Sequence, residues 1–221
     1  MKSNAAGSAA VPPAASPAQA GRLRNSRPAA GATQLIVVGC SLGGMYALEK
    51  ILKPLPKEFC VPIAVAQHRH RNSNEGLPAF LRRATHMAVV DADDKQRIEP
   101  GKVYLAPADY HLLVQKGEFS LSVDDAVRHS RPSIDVLFES AADAYGPTLI
   151  GIVLTGLNDD GAAGARRIKK RGGVVIAQDP KTAEAREMPE AAIATGAVDQ
   201  ILRLEGIAAF LVERCRLVLT P

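Results

Sequence analysis

The sequence predicts an α/β domain with a doubly wound, mostly parallel sheet. Short continuous apolar runs, typical of strands buried on both faces, alternate with segments of helical periodicity. The clearest runs cover residues 61–66 and 148–154, and a third begins at Gln34 and breaks at Gly39. Each of these runs is followed at once by polar or glycine-rich sequence. Strands that alternate with helices in this way indicate a layered α/β fold.

Composition divides the chain into a tail and one domain. Residues 1–33 are rich in Ala, Pro, Ser and Gly and lack the apolar periodicity that a core requires, so we expect a disordered tail. The rest of the chain, 34–221, is the predicted domain, and 47% of the 221 residues are hydrophobic. Prolines in the tail interrupt any segment that could serve as a secretory signal, and no apolar run approaches the ~20 residues of a membrane span.

Cysteine and aromatic content exclude several classes of site. The three cysteines, Cys40, Cys60 and Cys215, are widely spaced without a C-x-x-C pair. This spacing predicts neither a disulfide framework nor a zinc site and indicates a reducing compartment, so we expect a cytoplasmic protein. Aromatic residues make up only 4% of the chain, with no Trp, which is not the composition of a base-stacking nucleic-acid surface.

The remaining elements follow in order along the chain. Pro132-Ser133 is a typical helix start, and Gly146-Pro147 a typical helix end. We interpret the middle section, 87–123, as an antiparallel accessory. The predicted elements are a helix ending at Pro54, a strand at 61–66, a helix at 77–84, strands at 87–91 and 102–106, a β-hairpin at 112–115 and 119–123, a helix at 134–145, a strand at 148–154, a helix at 165–170, a strand at 174–177, a helix at 188–194, a strand at 197–202 and a helix at 207–217.

The first strand leads into a candidate nucleophile. The run from Gly39 to Gly43, G-C-S-L-G, matches G-x-S-x-G, in which flanking glycines allow a turn so sharp that the hydroxyl of Ser41 stands clear at the end of the strand. Such glycine turns also cradle phosphates, but the third glycine of a dinucleotide site and the Lys-Ser or Lys-Thr of a P-loop are missing here. Cys40 is a weaker candidate, because the elbow exposes its central residue.

Two further strands end in residues that could serve this serine. His68 follows the run 61–66, and Asp159 and Asp160 come shortly after the run 148–154. Ligands bind at the carboxyl edge of an open α/β sheet, so we expect Ser41, His68 and one of the aspartates to lie together there. A serine, a histidine base and an orienting aspartate are the catalytic residues of a serine hydrolase. Each of these residues has a structural alternative: His68 could be a loop or hydrogen-bonding residue, and Asp159 or Asp160 could cap the helix near Gly161. His70, His111 and His129 are competing bases.

Several sequence blocks resemble a known family. I-V-V-G-C-S-L-G-G, A-Q-H, R-P-S-I-D-V-L-F, L-T-G-L-N-D-D-G-A-A-G and M-P-E-A-A resemble, in that order, the catalytic domain of the chemotaxis protein-glutamate methylesterase over residues 34–215. The resemblance implies a doubly wound α/β domain that hydrolyses glutamate methyl esters on the cytoplasmic helices of chemoreceptors and releases methanol. Some members also deamidate receptor glutamines. The implied partners are therefore methylated receptor helices, without nucleic acid or membrane insertion.

The resemblance also implies roles for individual residues. Ser41 falls on the nucleophile of the family, His68 on its base and Asp160 on its acid, with no cofactor or metal. Leu157 lies where the family has a methionine whose backbone helps to form the oxyanion hole, and the N–H of Leu42 is the other expected donor.

The sequence departs from the family pattern beside these positions. Leu42 replaces the usual Thr, Arg69-His70 replaces Met-Pro, and Asn158 replaces Gly. We expect Arg69 and Arg71 to bind substrate by attracting carboxylates around a receptor methylation site. A solvated loop is the alternative. The same departures leave open a catalytically silent module that docks on receptors or a scaffold.

Full-length members of the family usually carry an N-terminal phospho-accepting receiver domain. The 33-residue tail is too short to fold into one. We therefore expect a stand-alone esterase without control by phosphorylation.

Overall fold

A computed structural model describes residues 34–69 and 76–215. The predicted N-terminal tail, together with His70 and Arg71, lies outside the described residues. Nine strands and six helices occupy the described ranges. They are β1 Leu35–Cys40, α1 Gly44–Leu52, β2 Ile63–Gln67, α2 Gly76–Ala84, β3 Ala88–Asp91, β4 Lys102–Leu105, β5 His111–Gln115, β6 Glu118–Ser122, α3 Ile134–Tyr145, β7 Leu149–Val153, α4 Ala162–Lys170, β8 Val174–Gln178, α5 Glu187–Ala194, β9 Gln200–Leu202 and α6 Leu204–Cys215.

Seven strands form one parallel sheet in the order β3-β4-β2-β1-β7-β8-β9. From the central pair β1 and β7 the sheet is built outward on both sides, through β2 to β4 and β3 on one side and through β8 to β9 on the other. This is the doubly wound arrangement. β5 and β6 form a separate antiparallel pair. The predicted fold class, a mostly parallel sheet with an accessory hairpin, is therefore confirmed.

Helices cover both faces of the sheet, and β1 shows why. Its side chains alternate, so that Ile36 and Val38 belong to one apolar cluster while Leu35 and Val37 belong to the other. The first cluster is closed by α1, α2 and α6, and the second by α3, α4 and α5 together with the hairpin. β1 is thus buried along its whole length, as its continuous apolar sequence predicts.

One sequence interpretation is wrong in the middle of the chain. The sequence pattern of 87–123 predicts an antiparallel accessory, but β3 and β4 belong to the main sheet and pair in parallel with each other. The segment that joins them contains no helix, so the usual sign of a parallel crossover is missing. Only the hairpin of β5 and β6 lies apart from the main sheet, where it packs against α3.

Several predicted boundaries also move. α4 begins at Ala162 and not at residue 165, α6 begins at Leu204 and not at 207, and β9 is confined to Gln200–Leu202. None of the helices in the described ranges is long and apolar enough to cross a bilayer.

Candidate active site

Three neighbouring strands deliver the predicted triad to one edge of the sheet. β1 pairs in parallel with β2 on one side and β7 on the other, with Cys40 opposite Gln67 and Gly39 opposite Val153. Ser41 follows β1, His68 follows β2, and Asp160 lies in the loop after β7. The carboxyl ends of these strands therefore meet where the two halves of the sheet diverge, the usual position of a site in this fold.

The backbone continues this pairing beyond the strand ends. The N–H of Ser41 donates to the carbonyl of Thr155 at 2.9 Å, and the N–H of His68 donates to the carbonyl of Cys40 at 3.0 Å. Both contacts fix the main chain of the candidate residues relative to their neighbours. The side chains of Ser41 and His68 consequently emerge from adjacent, hydrogen-bonded strands.

The turn after Ser41 depends on its glycines. Gly43 has φ 76°, a left-handed conformation that residues with a Cβ rarely adopt. At Gly44 an added Cβ would lie 2.7 Å from the Sγ of Cys40, so the start of α1 can approach β1 only without a side chain. Cys40 itself is buried, and burial raises the pKa of its thiol. These observations agree with ranking Cys40 below Ser41 as a nucleophile.

His68 is hydrogen-bonded to Asp160. The His68 Nε2 lies 2.8 Å from the Asp160 Oδ2, and the carboxylate is fully buried. Burial by itself raises the pKa of Asp160, but the hydrogen bond from His68 and the backbone N–H groups of Asp135 and Ile134 outweigh it, and the pKa is lowered. Asp160 is therefore held as a carboxylate beside the imidazole.

The Asp160 carboxylate also lies at the N-terminus of α3. It accepts the N–H of Ile134 at 2.8 Å, the N–H of Asp135 at 2.9 Å and the hydroxyl of Ser133 at 3.0 Å. The sequence offers, as an alternative to catalysis, that an aspartate here caps the helix near Gly161. The side chain of Asp160 instead caps α3, a helix that begins 26 residues earlier in the chain.

Asp159 points elsewhere. Its side chain is exposed and forms an ion pair with Arg128. Of the two adjacent aspartates, the structure places only Asp160 against His68, which is the choice that the family resemblance favours.

The competing histidines occupy different environments. His111 is buried, and its Nδ1 accepts the N–H of Ser133 at 3.2 Å while its Nε2 lies 3.1 Å from the carbonyl of Asp125. Both ring nitrogens are thereby occupied. His129 is exposed and has φ 64°. His70 lies outside the described residues.

The second ring nitrogen of His68 faces a serine that the sequence analysis did not single out. The Ser130 hydroxyl lies 3.4 Å from the His68 Nδ1. Within the described ranges no hydrogen bond joins the side chains of Ser41 and His68. Ser130, Ser133 and Asp135 all belong to the segment R-H-S-R-P-S-I-D, whose Pro-Ser helix start was recognised without its long-range partners.

The two expected oxyanion donors lie near Ser41 with their side chains facing solvent. Leu42 is 47% exposed and Leu157 60% exposed. The Thr155 hydroxyl donates to the Leu42 carbonyl at 2.8 Å, and Gly156, next to Leu157, packs against Ser41. No hydrogen bond from either leucine N–H is found within 34–69 and 76–215. The backbone N–H groups of Leu42 and Leu157 are therefore available to donate to a substrate oxygen.

The side chain of Arg69 is largely buried, whereas a charge that attracts substrate through solvent has to be exposed. Only 7% of its side chain is exposed, and its Nη2 donates to Asp91 at 3.0 Å and to the carbonyl of Ala106. The other guanidinium nitrogens, Nε and Nη1, are buried without a hydrogen-bond partner among the described residues. Its charge is thus directed into the protein at the ends of β3 and β4. The expected partner in steering, Arg71, lies outside the described residues.

An open cavity of about 780 Å³ adjoins His68. Its lining includes His68, Arg69, Asp109, Ser130 and Arg131. Asp109 and Arg131 form an ion pair at 2.7 Å, so opposite charges are balanced across part of this wall. Among the described residues no cluster of three or more His, Cys, Asp or Glu is arranged to hold a metal ion.

Comparison with known proteins identifies relatives of the chain. A model of the CheB methylesterase family matches residues 36–211. A Leptospira interrogans protein, provisionally named protein-glutamate methylesterase/protein-glutamine glutaminase, is 44% identical over 181 residues, which cover 81% of this chain and 94% of that protein. The protein-glutamate methylesterase FrzG of Myxococcus xanthus is 39% identical over 180 residues, 81% of this chain and 54% of that protein.

A solved structure agrees with these matches. The crystal structure of the Thermotoga maritima CheB methylesterase catalytic domain superposes with a TM-score of 0.79 and 35% identity, and covers 83% of this chain and 99% of that one. The resemblance predicted from the sequence blocks is therefore confirmed at the level of both fold and family. The chain belongs to the CheB methylesterase family.

Proposed function

We propose that this member of the CheB methylesterase family is a serine hydrolase that removes methyl groups from glutamate methyl esters of chemoreceptors. The observation that carries the proposal is the convergence of Ser41, His68 and Asp160 on one sheet edge, with His68 bound to Asp160 at 2.8 Å. In this proposal Ser41 is the nucleophile, His68 the general base and Asp160 the acid that orients the imidazole.

The hydrogen bonds assign the base to one ring nitrogen. Because the Nε2 of His68 donates to Asp160, the Nδ1 must take the proton from the Ser41 hydroxyl. This requires the imidazole and the serine to approach each other when substrate binds, as is common for catalytic hydrogen bonds that are long in unliganded enzymes. The N–H of His68 donates to the carbonyl of Cys40 at 3.0 Å and holds the main chain of His68 next to Ser41, so in this proposal rotation of the side chains closes the gap.

The reaction then follows two acyl-transfer steps. The Ser41 oxygen bonds to the ester carbonyl carbon while its proton passes to the His68 Nδ1. Collapse of the tetrahedral intermediate breaks the bond to the methoxy oxygen, which leaves as methanol with the proton from His68. Water gives a proton to His68 and attacks the acyl carbon. Collapse of this second intermediate breaks the bond to the Ser41 oxygen, which takes the proton back from His68, and the product ionises to a glutamate carboxylate. Glutamine deamidation would use the same steps with ammonia as the leaving group.

The N–H groups of Leu42 and Leu157 are our proposed oxyanion donors. A developing oxyanion needs preorganised donors, and one such donor contributes on the order of 10²–10³ in kcat. The exposure of both leucines leaves the space in front of Ser41 open to substrate. Because the donors are backbone groups, the replacement of Thr by Leu42 and of Met by Leu157 does not remove them.

We further propose that the substrate-bearing partners are methylated cytoplasmic helices of chemoreceptors and that the protein acts in the cytoplasm. The names of relatives, protein-glutamate methylesterase and protein-glutamine glutaminase, support this class of substrate. Arg71 remains our candidate for attracting substrate carboxylates. For Arg69 the buried contacts to Asp91 and Ala106 favour a role in holding the strand end beside His68.

The test is methanol release from receptors methylated in vitro. We expect release by the wild-type chain and loss of release in Ser41→Ala, with Ser120→Ala on the distant hairpin strand β6 as the matched control. Equal release by wild type and Ser41→Ala would refute the serine mechanism. A folded wild-type chain that binds receptor but releases no methanol would establish the alternative, a silent docking module.

A further inference from the structure

Asp135 is a buried carboxylate at the start of α3 to which the proposed mechanism assigns no step. Only 5% of the residue is exposed. Its Oδ1 accepts the N–H of Gly161 at 2.9 Å and the N–H of Gly164 at 2.7 Å. Both donors lie at the beginning of α4, so Asp135 ties the first turn of one helix to the first turn of another.

The N–H of Gly161 belongs to the peptide unit that links Asp160 to Gly161. By accepting this hydrogen, Asp135 holds the main chain immediately after the proposed catalytic acid. In return, the backbone N–H of Asp135 donates to the Asp160 Oδ1 at 2.9 Å. Asp160 is therefore fixed by Asp135 at two points, its carboxylate and its own peptide bond.

Glycine makes this close approach possible. Gly161 has φ 100°, and an added Cβ would lie 2.8 Å from the side chain of Ile134. At Gly164 an added Cβ would lie 3.3 Å from the Asp135 Oδ1 and would press on Phe138. The start of α4 can thus reach the Asp135 carboxylate only because both positions lack side chains.

Arg128 keeps a positive charge at the other Asp135 oxygen. Its Nε donates to the Asp135 Oδ2 at 3.2 Å, and the same guanidinium pairs with Asp159. Burial raises the pKa of Asp135 and the Asp160 charge adds to this, while the Gly164 N–H and Arg128 oppose it. Hydrogen bonds to an ionised acceptor are roughly twice as strong as neutral ones, so the charge state of Asp135 determines how firmly it holds Gly161.

We propose that Asp135, supported by Arg128, is a positioning residue that holds Asp160 in hydrogen-bonding register with His68. The expected effect on kcat rests on the proposed function, whereas the expected effect on the hydrogen bond between His68 and Asp160 does not. Asp135 does not touch the reacting atoms; it acts through the Asp160 carboxylate and the Asp160–Gly161 peptide.

The same helix pair provides a control for a purely structural role. Asp143, at the other end of α3, accepts hydrogen bonds from Arg167 at 2.9 and 2.7 Å and from Arg171 at 2.7 Å. It therefore also ties α3 to α4, but without contact to Asp160. Asp143→Asn should weaken helix docking and leave the register of Asp160 unchanged.

The experiment compares Asp135→Asn with Asp143→Asn in two measurements. The first is the far-downfield proton NMR signal of the His68 Nε2–H bound to Asp160, assigned by its absence in His68→Gln. The second is the pair kcat and KM for methanol release. In Asp135→Asn we expect the signal to shift upfield or broaden away and kcat to fall by about 10- to 100-fold with KM unchanged, the cost of a small misplacement of a catalytic group. In Asp143→Asn we expect both to match wild type.

An unchanged signal and an unchanged kcat in Asp135→Asn would overturn the proposal. So would a fall in kcat in both variants in proportion to their losses of unfolding free energy, which urea titrations of the same variants measure. If Asp135→Asn does not fold, Arg128→Gln replaces it, and the same two changes are expected relative to Asp159→Asn, which removes only the other partner of Arg128. The NMR signal requires no substrate. If the wild-type chain releases no methanol while the signal still changes in Asp135→Asn and not in Asp143→Asn, only the proposed function is refuted.

Discussion

The imidazole of His68 is bound to Asp160 through Nε2, at 2.8 Å, and its Nδ1 faces the hydroxyl of Ser130 at 3.4 Å. In the Ser-His-Asp arrangement of chymotrypsin the aspartate lies on Nδ1 and Nε2 is the base. In the mechanism that we propose, the two ring nitrogens of His68 exchange these roles. Because His68 follows the strand next to Ser41 and Asp160 approaches over the N-terminus of α3, the orientation of the ring is set by the fold and not by the local sequence.

Replacement of Asp160 should abolish most of the activity. Asp160→Asn puts an amide among four donors, from His68, Ser133, Ile134 and Asp135, and it favours the wrong tautomer of the imidazole. We expect kcat for methanol release to fall by on the order of 10⁴-fold. Asp159→Asn, one position earlier and exposed, is the matched control and should retain activity. Similar losses in both variants would argue against Asp160 as the specific partner of His68.

The lowered pKa of Asp160 predicts a defined pH dependence of stability. An unfolded aspartate titrates near pH 3.9, so the ionised Asp160 contributes its stabilisation fully above about pH 4 and loses it as the pH falls through its folded pKa. Unfolding free energies from urea titrations between about pH 7 and pH 3 measure this directly. The gap between wild type and Asp160→Asn should be widest near neutrality and shrink in acid. A constant gap would show that the pKa is not lowered.

The placement of the triad was predictable because it depends on strand ends. Apolar runs identify β1, β2 and β7, and the polar residue after each lies at the carboxyl edge whatever the details of packing. The hydrogen bonds around Asp160 were not predictable from local patterns. Asp135 and Asp160 are 25 residues apart, and nothing in the sequence around either one specifies the other. The resemblance chose Asp160 over Asp159 without giving this physical reason.

The inward position of Arg69 follows from the pairing of β3 and β4 in the main sheet. Once these strands join the main sheet, the order β3-β4-β2 brings Asp91 and Ala106 beside the end of β2, where Arg69 begins the loop. The guanidinium of Arg69 turns inward because the carboxylate of Asp91 and the carbonyl of Ala106 accept its hydrogen bonds. Without a helix between β3 and β4, the sequence shows no sign of parallel pairing, so these contacts of Arg69 could not be predicted from it.

Neutralising Arg69 should therefore affect stability more than substrate attraction. Arg69→Gln leaves Asp91 and the Ala106 carbonyl without their donor, and we expect a loss of about 1–3 kcal/mol in unfolding free energy. Arg83→Gln, an exposed arginine on α2, should change it by less than about 0.5 kcal/mol. The salt dependence of KM should be the same in wild type and Arg69→Gln. A flatter salt dependence with unchanged stability would restore the steering role.

A substitution at Gly156 tests how closely the loop after β7 must approach Ser41. An added Cβ at this position would lie 2.9 Å from the Cβ of Ser41 and would also press on the side chain of Met188. Met188 can rotate away, but Ser41 is fixed through the hydrogen bond of its N–H to Thr155. Gly156→Ala should therefore displace Ser41 or the adjacent N–H of Leu157 and lower kcat by about 10- to 100-fold, with a loss of about 1–3 kcal/mol in unfolding free energy.

The control for Gly156 is a glycine in open space. An added Cβ at Gly206, on α6, meets nothing within 4 Å. Gly206→Ala should keep the wild-type kcat and gain up to about 1 kcal/mol of stability, because alanine loses less backbone entropy in a helix. Methanol release and urea unfolding measured on both variants separate the two effects. If Gly156→Ala loses stability but keeps the wild-type kcat, the packing of this loop does not position Ser41 or its oxyanion donor.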